Sequence, residues 1–249
     1  MRPTWGLSLK LAWSLAVLFK TFAVETCTQK RLIMVRHGRT EMNEYLSQSP
    51  WGSPGFEDPS LWDTILTPTG ISQARRLNAD LINSEDISNV ELVISSPLTR
   101  ALMTANLAFE KVVSYSIPRV ALPLAAERLY LSSDIGRNKS ELMLDHKVTL
   151  LWDFSLLPDG DWWYTPDPGA VVTEWRPNDA TYACPGEPED VFRQRMSKLK
   201  KFLAERPEKT IALVAHWGVL KALTGKNFEN CEMKVVDFSD LLEIANLEE

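Results

Sequence analysis

Histidine is scarce in this chain of 249 residues: there are three, at His37, His146 and His216. No Cys-x-x-Cys is present, and no acidic cluster has metal-ligand spacing, so the sequence offers no metal centre and implies no cofactor. Cysteine is equally sparse. Cys27, Cys184 and Cys231 are odd in number and far apart, which rules out a recognisable disulfide framework. Positive charge is in deficit, with a formal net charge of −6 and a pI near 5.3. That balance argues against a nucleic-acid partner, which ordinarily requires a basic face. Internal repeats and low-complexity linkers are missing too, so nothing divides the chain into an array.

Acidic residues are absent from Met1 to Val24, where Arg2, Lys10 and Lys20 supply the only charge. The apolar run Leu11–Phe19 is too short to span a bilayer, so no stable membrane span is expected. It suits the h-region of a secretory signal covering residues 1–23, with cleavage near Ala23, although Lys20 interrupts the pattern. An organellar transit segment and an unstructured extension of a cytoplasmic protein are the other two readings. The division that follows is a targeting segment at 1–29 and a single domain at 30–249. With 45% hydrophobic residues, that domain can build one sizeable core.

Three short apolar runs carry the organisation. Leu32-Ile33-Met34-Val35 leads directly into Arg36-His37-Gly38, and Val90-Glu91-Leu92-Val93-Ile94 is followed by Ser95-Ser96-Pro97-Leu98-Thr99-Arg100. Thr210–Ala215 ends on His216-Trp217-Gly218. Buried strands that end on polar groups deliver them to the carboxyl edge of a sheet, where open α/β folds place ligands. Ser96 is a good N-cap and Pro97 a good first helical residue, which puts Arg100 in the first turn of a helix. Arg36, His37, Arg100 and His216 therefore share one rim and read as a phosphate site with a nucleophile inside it. Thr67-Pro68 opens an amphipathic helix through Ile71, Ala74, Leu77 and Leu81. A second, from Glu187 to Glu205, presents Val191, Met196, Leu199 and Phe202. Strands joined by such helices imply a mostly parallel sheet covered on both faces, with Met233–Phe238 as an added edge strand and a peripheral acidic end after it.

Arg36-His37-Gly38 with Thr40 and Asn43, Leu66-Thr67-Pro68-x-Gly70-x-x-Gln73-Ala74, Ser95-Ser96-Pro97-Leu98-x-Arg100-Ala101 with Thr104-Ala105, Glu127, and His216-x-Gly218 stand in order along the chain. Together they resemble the histidine phosphatase superfamily, the phosphoglycerate mutase-like proteins of branch 1, from about Arg31 to Leu223. The resemblance implies an α/β fold, a three-layer αβα sandwich. It also implies hydrolysis of small phosphate monoesters without a metal. His37 would become phosphohistidine, Arg36, Arg100, Asn43 and His216 would surround the phosphoryl group, and Glu127 would donate the proton. For Glu127 the plain alternative is a solvated carboxylate, with Asp134 and Glu141 nearby as competitors. His146, outside these motifs, reads as a surface or loop residue.

The chemistry requires these residue types together. An imidazole attacks phosphorus only through an unprotonated nitrogen, so its other nitrogen must be held as a donor. Arginine offers phosphate oxygens a planar fork of donors, which lysine lacks. The segment from Leu151 to Pro185 departs from a minimal member of the family. It carries Trp152, Trp162, Trp163, Tyr164, Trp175 and Tyr182 and reads as an aromatic-rich insertion, either a lid over the substrate or a flap packed on the sheet. Trp217 is bulkier than the small residue mutases usually place there, which favours hydrolysis. A mutase-type phosphotransferase and a non-catalytic phospho-ligand binder remain as alternatives.

Overall fold

The computed structural model describes residues 30–82, 84–145, 148, 152–165 and 186–241. The targeting reading of 1–29, His146, Trp175, Tyr182, Cys27, Cys184 and the acidic end at 242–249 lie outside them.

Five strands form one sheet: β1 (Arg31–Arg36), β2 (Leu92–Ser95), β3 (Arg119–Ala121), β4 (Thr210–Ala215) and β5 (Met233–Asp237). Their spatial order is β3-β2-β4-β1-β5. β1, β2, β3 and β4 pair in parallel, and β5 runs antiparallel along the outer side of β1. The apolar runs become strands because both of their faces are covered. Along β1, Ile33 and Val35 point into one core while Leu32 and Met34 point into the other. All four are fully buried, and each contributes roughly 1.5–3 kcal/mol relative to exposure.

The helices form the outer layers. α1 (Glu41–Gln48) follows β1, and α2 (Pro68–Leu81), α3 (Glu85–Ser88) and α4 (Thr99–Ala108) bracket β2. α5 (Lys139–Leu144), α6 (Glu189–Glu205) and α7 (Trp217–Thr224) complete the set. α2 and α4 bury Leu77, Leu81, Ala101, Leu102 and Ala105 on the Ile33 side. α6 and α7 bury Phe192, Met196, Leu199, Val219 and Leu223 on the Leu32 side. The molecule is therefore the three-layer αβα sandwich expected from the sequence.

Several local expectations shift. The second strand begins at Leu92 and α6 at Glu189 rather than at Val90 and Glu187. α6 buries Phe192 and Leu203, with Val191 and Phe202 only partly covered. Phe192 and Leu203 join the expected Met196 and Leu199 in the Leu32-side core, and the guanidinium groups of Arg128 and Arg195 stand over the Phe192 ring. Helix α4 starts at Thr99 with Leu98 as N-cap, and Leu98 makes no side-chain cap bond. Ser96 Oγ accepts from the Leu98 N–H at 3.2 Å, but the helix end itself is satisfied from elsewhere: Asp63 accepts from the Thr99 N–H at 2.7 Å.

Of the aromatic segment, Trp152 and Trp162 are buried in the Ile33-side core, and Trp163 packs against it. Asp153 bridges to Val120 of β3 in parallel, so this stretch extends the sheet edge. The described part behaves as a flap packed on the sheet.

Candidate active site

The carboxyl edge of the sheet gathers the polar residues because each parallel strand ends there. β1 hands over to His37, whose N–H donates to the Ala215 carbonyl at 3.0 Å and prolongs the ladder with β4. β4 hands over to His216, the N-cap residue of α7. β2 leads into α4 and Arg100, and β3 leads through the 3-10 turn Pro123–Ala125 to Glu127. Arg36, His37, Asn43, Arg100 and Glu127 line one cleft of about 520 Å³. His216 lies just beneath, fully buried, with its ring centroid 5.0 Å from that of His37.

His37 is oriented from several directions. Its Nδ1 lies 2.8 Å from the Gly38 carbonyl oxygen. A carbonyl only accepts, so Nδ1 carries the proton and Nε2 keeps its lone pair. Burial, followed by the nearby Arg100 and Arg36 charges, holds the imidazole well below its usual pKa, so the ring is neutral. The Gly38 N–H donates to Thr104 Oγ1 at 3.0 Å, and Thr104 Oγ1 donates to the Arg100 carbonyl at 2.7 Å. A side chain at Gly38 would press on the Gly70 carbonyl at 2.8 Å. The absence of Cβ is thus what lets the first turn of α2 close against the Arg36-His37-Gly38 corner.

Arg100 is almost fully buried. Its Nη1 donates to the Ser133 carbonyl at 2.5 Å and its Nη2 to Asp134 Oδ1 at 2.9 Å. Three of its five N–H bonds stay available to a ligand. Arg36 donates through Nη1 to the Phe228 carbonyl at 2.7 Å, while its buried Nε has no partner. Both ring nitrogens of His216 are likewise buried and without a hydrogen-bond partner. Burial, then Arg100, pushes the His216 pKa well down, so this ring is neutral in the free protein rather than a third cation. Asn43 uses its amide oxygen locally, accepting from the Thr40 N–H at 3.1 Å and from Asn230 Nδ2 at 3.3 Å. Its amide N–H groups are what it can offer to a ligand.

Glu127 stands opposite the basic groups. Its Oε1 accepts from the Arg128 N–H at 2.8 Å and its Oε2 from the Gly218 N–H at 3.2 Å. Burial, followed by the Asp134 charge, raises its pKa, and the two backbone N–H groups pull the other way. Of the competing carboxylates, Asp134 lines the same cleft but is engaged by Arg100, and Glu141 is not among the lining residues. Glu141 accepts from the Asn138 N–H at 3.0 Å as part of the α5 cap.

The sequence reading missed the groups that hold these residues. Arg195 donates to the carbonyls of Leu124, Ala126 and Glu127 and pairs with the buried Glu187, which fixes the Glu127 loop. Asn230 Nδ2 donates to the His37 carbonyl at 3.0 Å. Asp134 is the buried counter-ion of Arg100. Among the described residues, no group of three or more His, Cys, Asp or Glu side chains could hold a metal ion. No helix among them is long and apolar enough to cross a membrane.

Two unpartnered buried imidazole nitrogens and an unpartnered guanidinium nitrogen meet the N-terminal ends of α4 and α7 at the carboxyl edge of an α/β sheet, an arrangement chemically able to hold an anion. Comparison adds a likeness to a family: residues 32–120 match the model of the histidine phosphatase superfamily (branch 1). No curated protein sequence matches the chain. Among solved structures, a protein from Escherichia coli assigned as an alpha-ribazole-5′-P phosphatase shares 23% identity at a TM-score of 0.50, covering 84% of this chain and 90% of its own. The alpha-ribazole phosphatase from Shigella flexneri is 23% identical with a TM-score of 0.49, over 83% and 90% of the two chains. A phosphoserine phosphatase from Entamoeba histolytica, solved with 3-phosphoglyceric acid, is 19% identical with a TM-score of 0.44, over 83% and 89%.

Proposed function

We propose that this protein hydrolyses small phosphate monoesters through a phosphohistidine intermediate on His37. The observation that carries the reading is the 2.8 Å contact between His37 Nδ1 and the Gly38 carbonyl. It leaves Nε2 as a lone pair in a cleft that also holds Arg36, Arg100 and Glu127. In the first half-reaction Nε2 attacks phosphorus, the N–P bond forms and the P–O bond to the alcohol breaks. Glu127 gives its proton to the departing alkoxide. In the second, water attacks the phosphohistidine, the N–P bond breaks, orthophosphate forms and Glu127 recovers a proton from the water. The raised pKa of Glu127 suits the protonated form that the first step needs, and the lowered pKa of His37 suits an unprotonated nucleophile.

Arg36 and Arg100 would neutralise the charge on the equatorial oxygens, and Asn43 would add an amide N–H. The neutral His216 ring would bind an oxygen through one N–H and take up a proton more readily once a dianion sits beside it. Glu127 has room in this scheme because Gly218 lacks a side chain. Trp217, at the cleft mouth, is bulkier than the small residue mutases usually carry beside this histidine, which supports hydrolysis over transfer back to a retained intermediate.

The test is orthophosphate release from a panel of monoesters by the full chain in the presence of a chelator, with His37→Ala as control. Release is expected to fall by more than about 10³-fold in the variant, and a ³²P-labelled substrate should label the parent protein in an acid-labile form. Unchanged release by His37→Ala would overturn the assignment. Phosphate migration within 3-phosphoglycerate, without release, would move it to a mutase.

A further inference from the structure

We propose that the mouth of the cleft is a subsite for a planar aromatic group carried by the alcohol half of the substrate, an inference that rests on reading the cleft as a phosphomonoester site. Two indoles are left uncovered there: Trp51 is 56% exposed and Trp217 is 43% exposed, and both line the same cleft as His37. Each indole offers a large apolar face, of the roughly 150–250 Å² that such side chains can bury, and the two share one cleft instead of standing singly on the surface. Both are fixed in place. Trp51 lies against the Tyr130 ring at 5.5 Å between centroids, and the Arg128 guanidinium stands 4.7 Å from that same ring. Trp217 is tied through Nε1 to Asn227 Oδ1 at 3.2 Å, with Lys221 Nζ 4.7 Å from its ring.

Three features exclude a small polar alcohol as the best fit. The cleft, at about 520 Å³, is of the size that holds drug-sized ligands, well beyond a phosphate with two or three carbons. The rim charge is largely committed, because Arg128 pairs with Glu189 and both Arg128 and Lys221 are turned onto aromatic faces. The rings come from separate elements, the loop after α1, the loop after Glu127 and the first residue of α7, and all of them line the cleft rather than form a single hydrophobic stripe on one element. A flat aromatic or heteroaromatic group stacked at this mouth would cover exposed indole surface while its phosphate reached Arg36 and Arg100.

Matched pairs of substrates test this, because the members of each pair release primary alkoxides of similar basicity and differ chiefly in the ring. Adenosine 5′-monophosphate is compared with ribose 5-phosphate, and 2-(1-naphthyl)ethyl phosphate with ethyl phosphate. The aromatic member should have about a tenfold or greater advantage in kcat/KM, mostly in KM. Trp51→Ala and Trp217→Ala should each narrow the ratio, and together bring it below about threefold. Equal use of both members by the parent protein, or a ratio that survives both substitutions, would overturn the subsite while leaving hydrolysis standing. Calorimetric binding of 2-(1-naphthyl)ethylphosphonate against ethylphosphonate to His37→Ala reads the subsite without turnover. Preferential binding of the aromatic phosphonate, weakened by Trp51→Ala, would uphold it even if no ester were hydrolysed, and indifference to the ring would sink it.

Discussion

The proposed reactive centre depends on a glycine as much as on its charged residues. A Cβ at Gly218 would stand 2.5 Å from Glu127 Oε1, while its other contacts belong to the same flexible carboxylate. Gly218 is also near the start of α7, where alanine is the better helix former by up to about 1 kcal/mol. Gly218→Ala should therefore leave the melting temperature unchanged or slightly raised while displacing Glu127. Turnover of alkyl phosphates is expected to fall about tenfold or more, with a much smaller loss for nitrophenyl phosphate, whose leaving group needs no proton. A matched loss for both esters would mean that Glu127 is not the proton donor. The same residues show what a chain can disclose at this scale. Arg36, His37, Arg100 and His216 were legible because each directly follows a buried strand or begins the helix after one. Asp134 and Arg195 were not, because their partners are 34 residues away for Asp134 and about 70 for Arg195. Of the rim aromatics, Trp217 was legible from its place between His216 and Gly218, and the others were hidden for the same reason as Arg195. The sequence draws the eye to the cluster at 151–185, whereas the rings that reach the cleft, Trp51, Tyr130, Phe192 and Trp217, are scattered along the chain. Trp51 carried a weak local signal, as a large ring between Pro50 and Gly52 in a turn-rich stretch.

Elements are held in register here by side chains that arrive from distant loops. Helix α4 is the clearest case: its first N–H is satisfied by Asp63, which also accepts from Thr99 Oγ1 at 2.5 Å and pairs with Arg137 at 2.9 Å. Asp58 does the corresponding work for the turn that carries Ser133 and Asp134, accepting from the Ser132 N–H at 2.8 Å and from its hydroxyl. The loop between α1 and α2 thus steadies Arg100 from both sides. Asp63→Ala removes a helix cap, worth typically about 1 and up to about 2 kcal/mol, and leaves Arg137, about a third exposed, with Asp145 and Thr99 Oγ1 as its remaining partners. The variant should lose roughly 2 kcal/mol in urea unfolding and bind inorganic phosphate more weakly, read as a raised inhibition constant. A stability loss with unchanged phosphate inhibition would show that α4 holds Arg100 without its cap. The strands and the start of α2 were readable because an apolar run, or a Thr-Pro cap, is a local signal. The start of α4 was misplaced because its cap is remote.

The whole molecule stores its two described histidines as neutral, buried rings, and this shapes its response to acid. Both hold pKa values well below 6.5, so the unfolded chain binds more protons than the folded one between those values and 6.5. Stability must fall as pH drops through that window, while above 6.5 the histidines contribute no slope. Glu127 and Asp134, raised by burial above 4.5 and 3.8, act in the opposite sense and lose stability as pH rises through their folded values. Urea unfolding at pH 7 and pH 5.5 should show the parent weakening with acid. His37→Ala should weaken less, by up to about 1.4 kcal/mol per pH unit. Identical pH slopes would mean that His37 is protonated in the folded chain.

One feature of the sheet reaches beyond equilibrium. β4, the last parallel strand in the chain, lies in space between β1 and β2 and leads into His216, the residue beneath His37. During synthesis the first two strands therefore wait without their shared neighbour until residues 210–215 have left the ribosome. A product interrupted before that point would present two unpaired apolar edges, the kind of template that recruits other strands. Premature termination should accordingly yield an aggregation hazard for the cell's quality control, rather than a smaller protein with part of the cleft intact.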